Sequence, residues 1–433
     1  MDNPRKLAHL SLIKGDTQEA YTNIEINTVL SRAKLEKNDA SLYTLLYLGV
    51  TEKKLLLDYI ISKYSKISIG DIDLEALNAI RLGLYQLLFT DRIPDHSAVD
   101  ESVNLAPKKS KGFVNAILRN FLRDGKKISY PKDEWERLSI ANSIPMPIID
   151  LFRKSYGDEL AKEIAGYNEK DFSLSLRVNT LKSNSDEVFE ELQKRGLMPE
   201  YSKYGHGIVK CSVSIGEIKD LIDTGCVFVQ DEASYTCARV VGAVSGEKIA
   251  DVCACPGGKT FSMAVEMENQ GKIQAYDLHK NKLSLIEKGA ARLGINTISV
   301  AEQNAKIFVP ENEGAFDRVL CDVPCSGLGV IFKKPEIKYK SIEAINALPR
   351  IQYDILKNCA RYVRVGGTLV YSTCTLCKDE NENNVVSFLK ENDCFEACEF
   401  EIGNVKSQNG MYTFFPQKEG TDGFFVAKLT RIK

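Results

Sequence analysis

The sequence lacks the features of a secreted or membrane protein. No window approaches 18 uninterrupted apolar residues, and no apolar stretch follows the first six residues. Cysteine is sparse, with 12 among 433 residues, and several cysteines lie in apolar runs that are typical of buried strands. This usage fits free thiols in a reducing cytosol better than a disulfide scaffold. The sequence therefore predicts a cytoplasmic protein without a membrane partner.

A strong excess of one charge is also missing. The net charge of -2 neither favours nor excludes a nucleic-acid partner, because phosphate binding depends on local patches. Hydrophobic residues at 44% and charged residues at 27% are close to globular averages, which excludes wholesale disorder. The sequence shows no repeats and no low-complexity tracts. Its length predicts about two to four domains.

Residues 1–140 show helical periodicity without strand signals, so we predict an all-helical first domain. Apolar stretches lie over Leu42–Leu46 and over Leu74–Leu88, the latter preceded by the helix-starting acid Asp73. A further helix is predicted over Lys111–Arg123. The basic segment around it comprises Lys108, Lys109, Lys111, Arg119, Arg123, Lys126 and Lys127. This segment fits either phosphate binding or an ordinary solvated helix face.

The remaining chain alternates strand and helix signals. Residues 145–232 indicate a small α+β module with a helix over Ile148–Gly166. Residues 233–433 indicate an α/β domain with a doubly wound, mostly parallel, Rossmann-like sheet, whose ligands bind at the carboxyl ends of the strands. Its apolar strand candidates are Ile249–Val252, Lys272–Tyr276, Thr297–Val300, Arg318–Cys321 and Thr368–Tyr371.

A glycine pair follows the first of these strands. In Asp251–Thr260, Gly257 and Gly258 allow backbone amides to approach a ligand closely at a helix start. The spacing matches neither a P-loop nor the dinucleotide fingerprint, which disfavours phosphate binding. The next strand leads to Asp277, where nucleoside-binding sheets place an acid for ribose hydroxyls. A helix N-cap is the alternative for this residue.

Two cysteines follow neighbouring strands, Cys325 within Asp322–Gly327 and Cys374 within Tyr371–Thr375. An exposed thiolate is a nucleophile, although a single cysteine is more often a small buried hydrophobe. Zinc bound by these cysteines with Cys321 and Cys377 is disfavoured, because Cys321 falls inside an apolar strand and the chain has only four histidines. We therefore predict no metal.

Taken together, these motifs resemble those of the S-adenosylmethionine-dependent RNA (cytosine-5)-methyltransferases. The matching segments are Leu176–Thr180, Phe228–Ser234, Asp251–Thr260, Asp322–Gly327, Ser372–Thr375 and Gly420–Phe425. The helical front resembles the NusB RNA-binding fold, notably over Lys111–Arg119. Front and back together cover nearly the whole chain and are similar to the small-subunit ribosomal RNA enzymes of this type.

The resemblance implies S-adenosylmethionine as cofactor and RNA as partner, with 16S ribosomal RNA favoured. It assigns Cys374 the attack on carbon 6 of cytosine, Asp322 the proton for ring nitrogen 3, and Cys325 the release of product. Cofactor contacts are implied for Cys253, Ala254, Cys255, Pro256, Gly257, Gly258, Lys259, Asp277, Asn304 and Asp322. Cys255, Lys282 and Asn304 replace the usual alanine, arginine and aspartate. An asparagine carbonyl still accepts from the adenine amino group, through a weaker, uncharged bond.

Other functions remain open at this point. Transfer RNA could be the substrate of the same chemistry. A non-catalytic RNA-binding or ribosome assembly factor would need neither Cys374 nor Cys325, and a small-molecule methyltransferase would leave the helical domain unexplained. A second basic cluster, Lys333, Lys334, Lys338 and Lys340, follows Cys325 and predicts a contact with RNA phosphate.

Overall fold

The computed structural model describes residues 2–18, 22–167 and 173–433. The chain forms two compact units, Met1–Gly166 with Ile331–Lys340, and Tyr167–Val330 with Ser341–Lys433. The described part of the first unit is helical, as predicted. Its helices are α1 (Pro4–Thr17), α2 (Thr22–Arg32), α3 (Lys37–Tyr64), α4 (Leu74–Phe89), α5 (Asp95–Leu105), α6 (Lys111–Arg123), α7 (Glu134–Asn142), α8 (Met146–Tyr156) and α9 (Asp158–Gly166).

The core of the first unit forms around α4, most of whose residues are buried. Asp73 starts this helix by accepting a hydrogen bond from the Ala76 amide at 3.2 Å, which satisfies one of the unpaired N–H groups of the first turn. Helix α6 covers Lys111–Arg123, as predicted. It buries an apolar face and leaves Arg119 and Arg123 exposed.

The helix predicted over Ile148–Gly166 is wrong as a single element. Helices α8 and α9 are separated by Gly157, whose φ of 79° lies in the left-handed region that favours glycine. The Gly157 amide donates to the Arg153 carbonyl, which closes the end of α8. The apolar positions on both sides continue the helical spacing, so the periodicity does not reveal the break.

Residues 331–340 pack into the helical unit although they follow the loop that carries Cys325. The Thr22 amide and hydroxyl donate to the two Glu336 carboxylate oxygens at 3.3 and 2.8 Å. The Lys54 ammonium lies 5.0 Å from the centre of the Tyr339 ring. Lys338 is 3% exposed, and burial lowers its pKa to about 8. The prediction that this cluster touches RNA phosphate is therefore wrong for Lys338; Lys333, Lys334 and Lys340 are exposed.

The second unit begins with a four-stranded antiparallel sheet of order β2-β3-β1-β4. Helix α10 packs an apolar side against this sheet and starts at a capping box formed by Asn184 and Glu187. The elements are β1 (Leu174–Val178), α10 (Ser185–Lys194), β2 (Pro199–Tyr201), β3 (Ile208–Cys211), α11 (Lys219–Asp223) and β4 (Val227–Val229).

The rest of the second unit is built on an eight-stranded sheet of order β10-β14-β9-β8-β5-β6-β7, with β13 paired to β14. The elements are α12 (Glu232–Val241), β5 (Lys248–Asp251), α13 (Gly258–Glu266), β6 (Lys272–Asp277), α14 (Lys280–Leu293), β7 (Ile298–Glu302), β8 (Phe316–Asp322), α15 (Ile342–Ala360), β9 (Val363–Thr373), α16 (Glu382–Glu391), β10 (Phe395–Ala397), β11 (Glu401–Ile402), β12 (Val405–Lys406), β13 (Met411–Phe414), α17 (Pro416–Glu419) and β14 (Phe424–Arg431).

The parallel, doubly wound arrangement of this sheet is confirmed. Strands β5 to β9 pair in parallel, so their carboxyl ends lie at one edge. The chain runs from β5 outward through β6 to β7 and then returns to place β8 on the other side of β5. The order therefore reverses between β5 and β8, and ligands of such sheets bind in the crevice at this reversal.

Candidate active site

The loop between β5 and α13 forms one wall of the crevice. It contains the predicted cofactor residues Cys253 to Gly257, and the predicted residues Gly258 and Lys259 start α13. Gly257 has a φ of 111°, and a Cβ there would lie 2.5 Å from the Phe261 ring, so this turn requires glycine. The first amides of α13 have no partner within the helix. The loop thus presents backbone donors where an anionic or polar group binds.

A buried carboxyl group stabilises the two ends of this loop. Asp251, at the end of β5, is 1% exposed and accepts a hydrogen bond from the Thr260 hydroxyl at 2.7 Å. Burial raises the pKa of Asp251 to about 7. The strand end and the first turn of α13 are therefore held together by one short bond.

The structure places Asp277 at the carboxyl end of β6, beside the same loop. Its Oδ2 atom accepts from the Cys255 amide at 3.2 Å, and its Oδ1 atom accepts from the His279 amide at 2.9 Å. Helix α14 begins after His279, so Asp277 is not its N-cap residue. Burial, followed by the negative charge of Asp277, raises the pKa of Cys255 to about 12, and Cys255 is therefore a neutral thiol.

Asn304 lies in the connection after β7. Its side-chain oxygen accepts from the Lys306 amide at 3.1 Å, a local turn contact. This bond lies within the loop that follows β7, so it does not connect Asn304 to the other predicted cofactor residues.

Asp322, at the end of β8, lies at the centre of the site. Its Oδ2 atom is 2.7 Å from the Lys259 ammonium, and its Oδ1 atom accepts from the Ser372 hydroxyl at 2.8 Å. Burial alone would lower the pKa of Lys259, but the charge and hydrogen bond of Asp322, together with the attraction of Cys237 and Cys374, outweigh burial and raise the pKa. Loop β5–α13, strand β8 and strand β9 therefore meet at one carboxylate.

The two predicted cysteines also meet. The sulfur atoms of Cys325 and Cys374 are 3.2 Å apart, and both residues are free thiols. The hydrogen bond to Cys374, together with burial, raises the pKa of Cys325 well above its ordinary value, so Cys325 keeps its proton. Attraction to Cys374 is one of the causes that raise the pKa of Lys259.

The structure thus joins Lys259, Asp322, Cys325 and Cys374 in one cluster. Ser372 was not predicted as a site residue, although it lies inside the Tyr371–Thr375 motif. Among the described residues, no group of three or more histidine, cysteine, aspartate or glutamate side chains is placed to hold a metal ion. Within the same residues no helix is both long and apolar enough to cross a membrane.

Three family models match three successive segments of the chain. Residues 238–430 match the family model described as 16S rRNA methyltransferase RsmB/F, residues 2–123 match the NusB family, and residues 144–210 match the ferredoxin-like domain of RsmF/B-like methyltransferases.

Two relatives match over almost their whole length. The chain is 34% identical to the probable ribosomal RNA small subunit methyltransferase B of Bacillus subtilis, covering 99% of this chain and 98% of that protein. It is 32% identical to the protein of the same name from Synechocystis, with full coverage of both.

Two crystal structures have the same fold. The crystal structure of PH0851 has a TM-score of 0.83 at 26% identity, with 100% of this chain and 99% of that chain covered. A methyltransferase homolog protein from Pyrococcus horikoshii has a TM-score of 0.59 at 26% identity, with 68% and 97% covered.

The fold and the site define an S-adenosylmethionine-dependent RNA methyltransferase. The crevice at the strand reversal carries the glycine turn at Gly257, and the Cys325–Cys374 thiol pair follows β8 and β9. Within this class, the chain belongs to the ribosomal RNA small subunit methyltransferase B family.

Proposed function

We propose that this protein transfers a methyl group from S-adenosylmethionine to carbon 5 of a cytosine in 16S ribosomal RNA, through a transient covalent bond to Cys374. We place this activity in the cytoplasm, where ribosomal RNA is the available substrate. The observation that carries the proposal is the 3.2 Å distance between the sulfurs of Cys325 and Cys374, beside the Lys259–Asp322 pair. A binding module has no need for two such thiols.

The thiol pair supplies the chemistry that carbon 5 needs, because this atom is a poor nucleophile. Cys374 adds its sulfur to carbon 6, and the displaced electron pair moves toward ring nitrogen 3, which takes up a proton. The Asp322–Lys259 pair supplies this proton, because the Lys259 ammonium carries it and donates a hydrogen bond to Asp322 at 2.7 Å. Carbon 5 then has the electron density to accept the methyl group.

Release reverses the addition. Once Cys374 is bonded to carbon 6, the hydrogen bond to Cys374 that keeps the proton on Cys325 is weakened, and Cys325 gives this proton to solvent. Cys325 then removes the proton from carbon 5, the double bond between carbons 5 and 6 forms again, and Cys374 leaves carbon 6 as a thiolate. Nitrogen 3 returns its proton to the Asp322–Lys259 pair. The sum is the replacement of one hydrogen by a methyl group, with one proton set free.

The residues present fit the cofactor. S-adenosylmethionine supplies an electrophilic methyl group carried on a positively charged sulfur. A Cβ at Gly258 would lie no closer than 3.7 Å to another atom, so the backbone there is open to a ligand. Asp277 has lone pairs left for ribose hydroxyls after its two amide contacts. The negative charge of the Asp322 carboxylate, which pairs with Lys259, also suits the positively charged sulfur of the cofactor.

The proposal is tested by incubating the protein with labelled S-adenosylmethionine and unmodified 16S ribosomal RNA, then mapping the methylated base. We expect 5-methylcytosine at one position. Parallel incubations with unmodified transfer RNA and with RNA-free small-molecule extract separate the alternative substrates. Label in transfer RNA alone would contradict the assignment of the substrate, and no label in any RNA would contradict the activity.

We expect Asp277→Ala to weaken cofactor binding by about 1.5 to 3 kcal/mol, the range for a hydrogen bond to a charged group. Isothermal titration with S-adenosylmethionine measures the effect. Asp317→Ala is the control, since Asp317 lies at the opposite, amino end of the sheet next to Lys248. Equal affinity of the Asp277 variant and the wild type would remove Asp277 from the ribose role.

The exposed face of the basic segment Lys108–Lys127, in the helical unit, is expected to bind RNA phosphate. Arg123 and Lys127 are exposed, whereas Lys126 pairs with Asp95 at 2.6 Å. Replacing Arg123 and Lys127 with glutamine should lower the slope of log affinity against log salt by about 1 for each lost phosphate contact. Replacing the exposed Lys194 and Lys219 in the same way is the control.

An unchanged slope in the Arg123 and Lys127 variant would assign this face a purely structural role. Point substitutions are preferable here to removal of residues 1–140. The truncation would also uncover the buried residues of the 331–340 segment, among them Ile337 and Lys338.

A further inference from the structure

Two buried neighbours in sequence, Glu380 and Asn381, bind the loops of both cysteines. Each is 0% exposed, and they precede α16. Neither carries an assigned role in the reaction proposed above. Apart from one bond that Gln352 donates to Glu380, the described contacts of the two side chains fall on residues that adjoin Cys325 or Cys374.

Glu380 holds mainly the Cys325 loop. Its Oε2 atom accepts from the Ser326 amide at 2.9 Å, and its Oε1 atom accepts from the Ser326 hydroxyl at 2.5 Å. Gln352, fully buried in α15, donates both to Glu380 Oε2 at 2.8 Å and to the Pro324 carbonyl at 2.9 Å. The residues on both sides of Cys325 are thus fixed. On the other loop, Glu380 receives only a longer bond of 3.3 Å from the Thr375 hydroxyl.

Asn381 holds the Cys374 loop. Its side-chain oxygen accepts from the Thr373 hydroxyl at 2.5 Å, and its side-chain nitrogen donates to the Thr375 carbonyl at 2.9 Å. The residues before and after Cys374 are therefore bound to one amide group. The two sulfurs lie 3.2 Å apart between loops that Glu380 and Asn381 each hold mainly on one side, and the Ser326 and Thr375 hydroxyls join the two loops directly at 2.6 Å.

We propose that Glu380 and Asn381 are positioning residues: Glu380 holds Cys325 for release, and Asn381 holds Cys374 for attack. This division of roles rests on the proposed function. The division follows from the contacts. Loss of Glu380 removes both bonds to Ser326 but leaves the two bonds of Asn381 around Cys374 in place. Loss of Asn381 removes the two bonds around Cys374 but leaves both bonds between Glu380 and Ser326 in place.

Glu380→Gln and Asn381→Leu, which keep the number and branching of the side-chain heavy atoms, form the test. Each is incubated with in vitro transcribed, unmodified 16S ribosomal RNA and S-adenosylmethionine, and turnover and covalent RNA adduct are measured on a denaturing gel. We expect turnover to fall roughly tenfold in both, the effect of losing one or two net hydrogen bonds. Adduct should accumulate above the wild-type level in Glu380→Gln and stay at or below it in Asn381→Leu.

A purely structural role would lower adduct and turnover together in both variants, in step with the loss of folded protein. That result, the reverse pattern, or wild-type behaviour of both variants would overturn the proposal. Thermal unfolding and titration with S-adenosylmethionine report folding independently of the reaction. If either variant fails to fold, Ser326→Ala and Thr373→Val remove single hydroxyls from the two contacts, and they should show the same two patterns at smaller size.

Cys325→Ala serves as the reference that separates the two hypotheses. If Cys325→Ala traps no adduct, the proposed reaction fails. If it traps adduct while Glu380→Gln does not, only the positioning role of Glu380 fails.

Discussion

Replacing Cys374 with alanine is expected to abolish methyl transfer and leave no covalent RNA adduct, whereas replacing Cys325 is expected to trap that adduct. The sulfur of Cys374 is the attacking atom in the proposed reaction, and no other group can form its bond to carbon 6. Cys325→Ala keeps the attack and the methyl transfer but lacks the base that permits release. A thioether to the base survives denaturation, so labelled RNA should move with the Cys325 variant on a denaturing gel.

Cys377→Ala is the matched control. Cys377 lies three residues after Cys374 and is 4% exposed, and burial raises its pKa to about 11, so it has the character of an inert thiol. This variant should form no excess adduct and should lose activity only as far as it loses stability. Adduct in the Cys374 variant and none in the Cys325 variant would show that the two roles are interchanged.

Cys325 and Cys374 can act at opposite stages of one reaction because their sulfurs lie close together. This distance cannot be read from the local sequence around either cysteine. The apolar strand cores of β5 to β9 were predicted to within a few residues, because strands buried on both faces form continuous apolar runs. Short edge elements such as β10 to β13 lack this signal, since they are half exposed and two to four residues long. Parallel pairing of β8 with β9 is what brings Cys325 next to Cys374 across 49 residues of chain.

The buried polar residues that stabilise the site could not be predicted either, because their partners lie in distant segments of the chain. Glu380 and Asn381 lie in a charged, polar stretch that is typical of a solvated helix start, yet both are fully buried. Lys338 lies in a basic run and is nevertheless enclosed by the helical unit. A buried polar side chain needs partners from distant segments, and composition alone does not identify them.

Lys259→Met is expected to reduce methyl transfer by roughly 100- to 10,000-fold, the range for losing a positioned proton donor. The ammonium group is 2.7 Å from Asp322 and is attracted by Cys374. Methionine preserves the length of the side chain but leaves the Asp322 carboxylate without its counter-charge. Both the proton for nitrogen 3 and the positive charge that interacts with Cys374 should then be lost.

The measurement is best made in the Cys325→Ala background, where adduct formation reports the attack by Cys374 without the release step. At saturating S-adenosylmethionine, Lys259→Met should slow adduct formation by a similar factor, because the lost groups act on the attack itself. Lys248→Met is the control, since Lys248 starts β5 at the opposite end of the same sheet. Lys259 belongs to the cofactor loop, so the alternative is that it only shapes this loop. In that case Lys259→Met would weaken cofactor affinity, and adduct formation at saturating cofactor would match the Cys325→Ala parent.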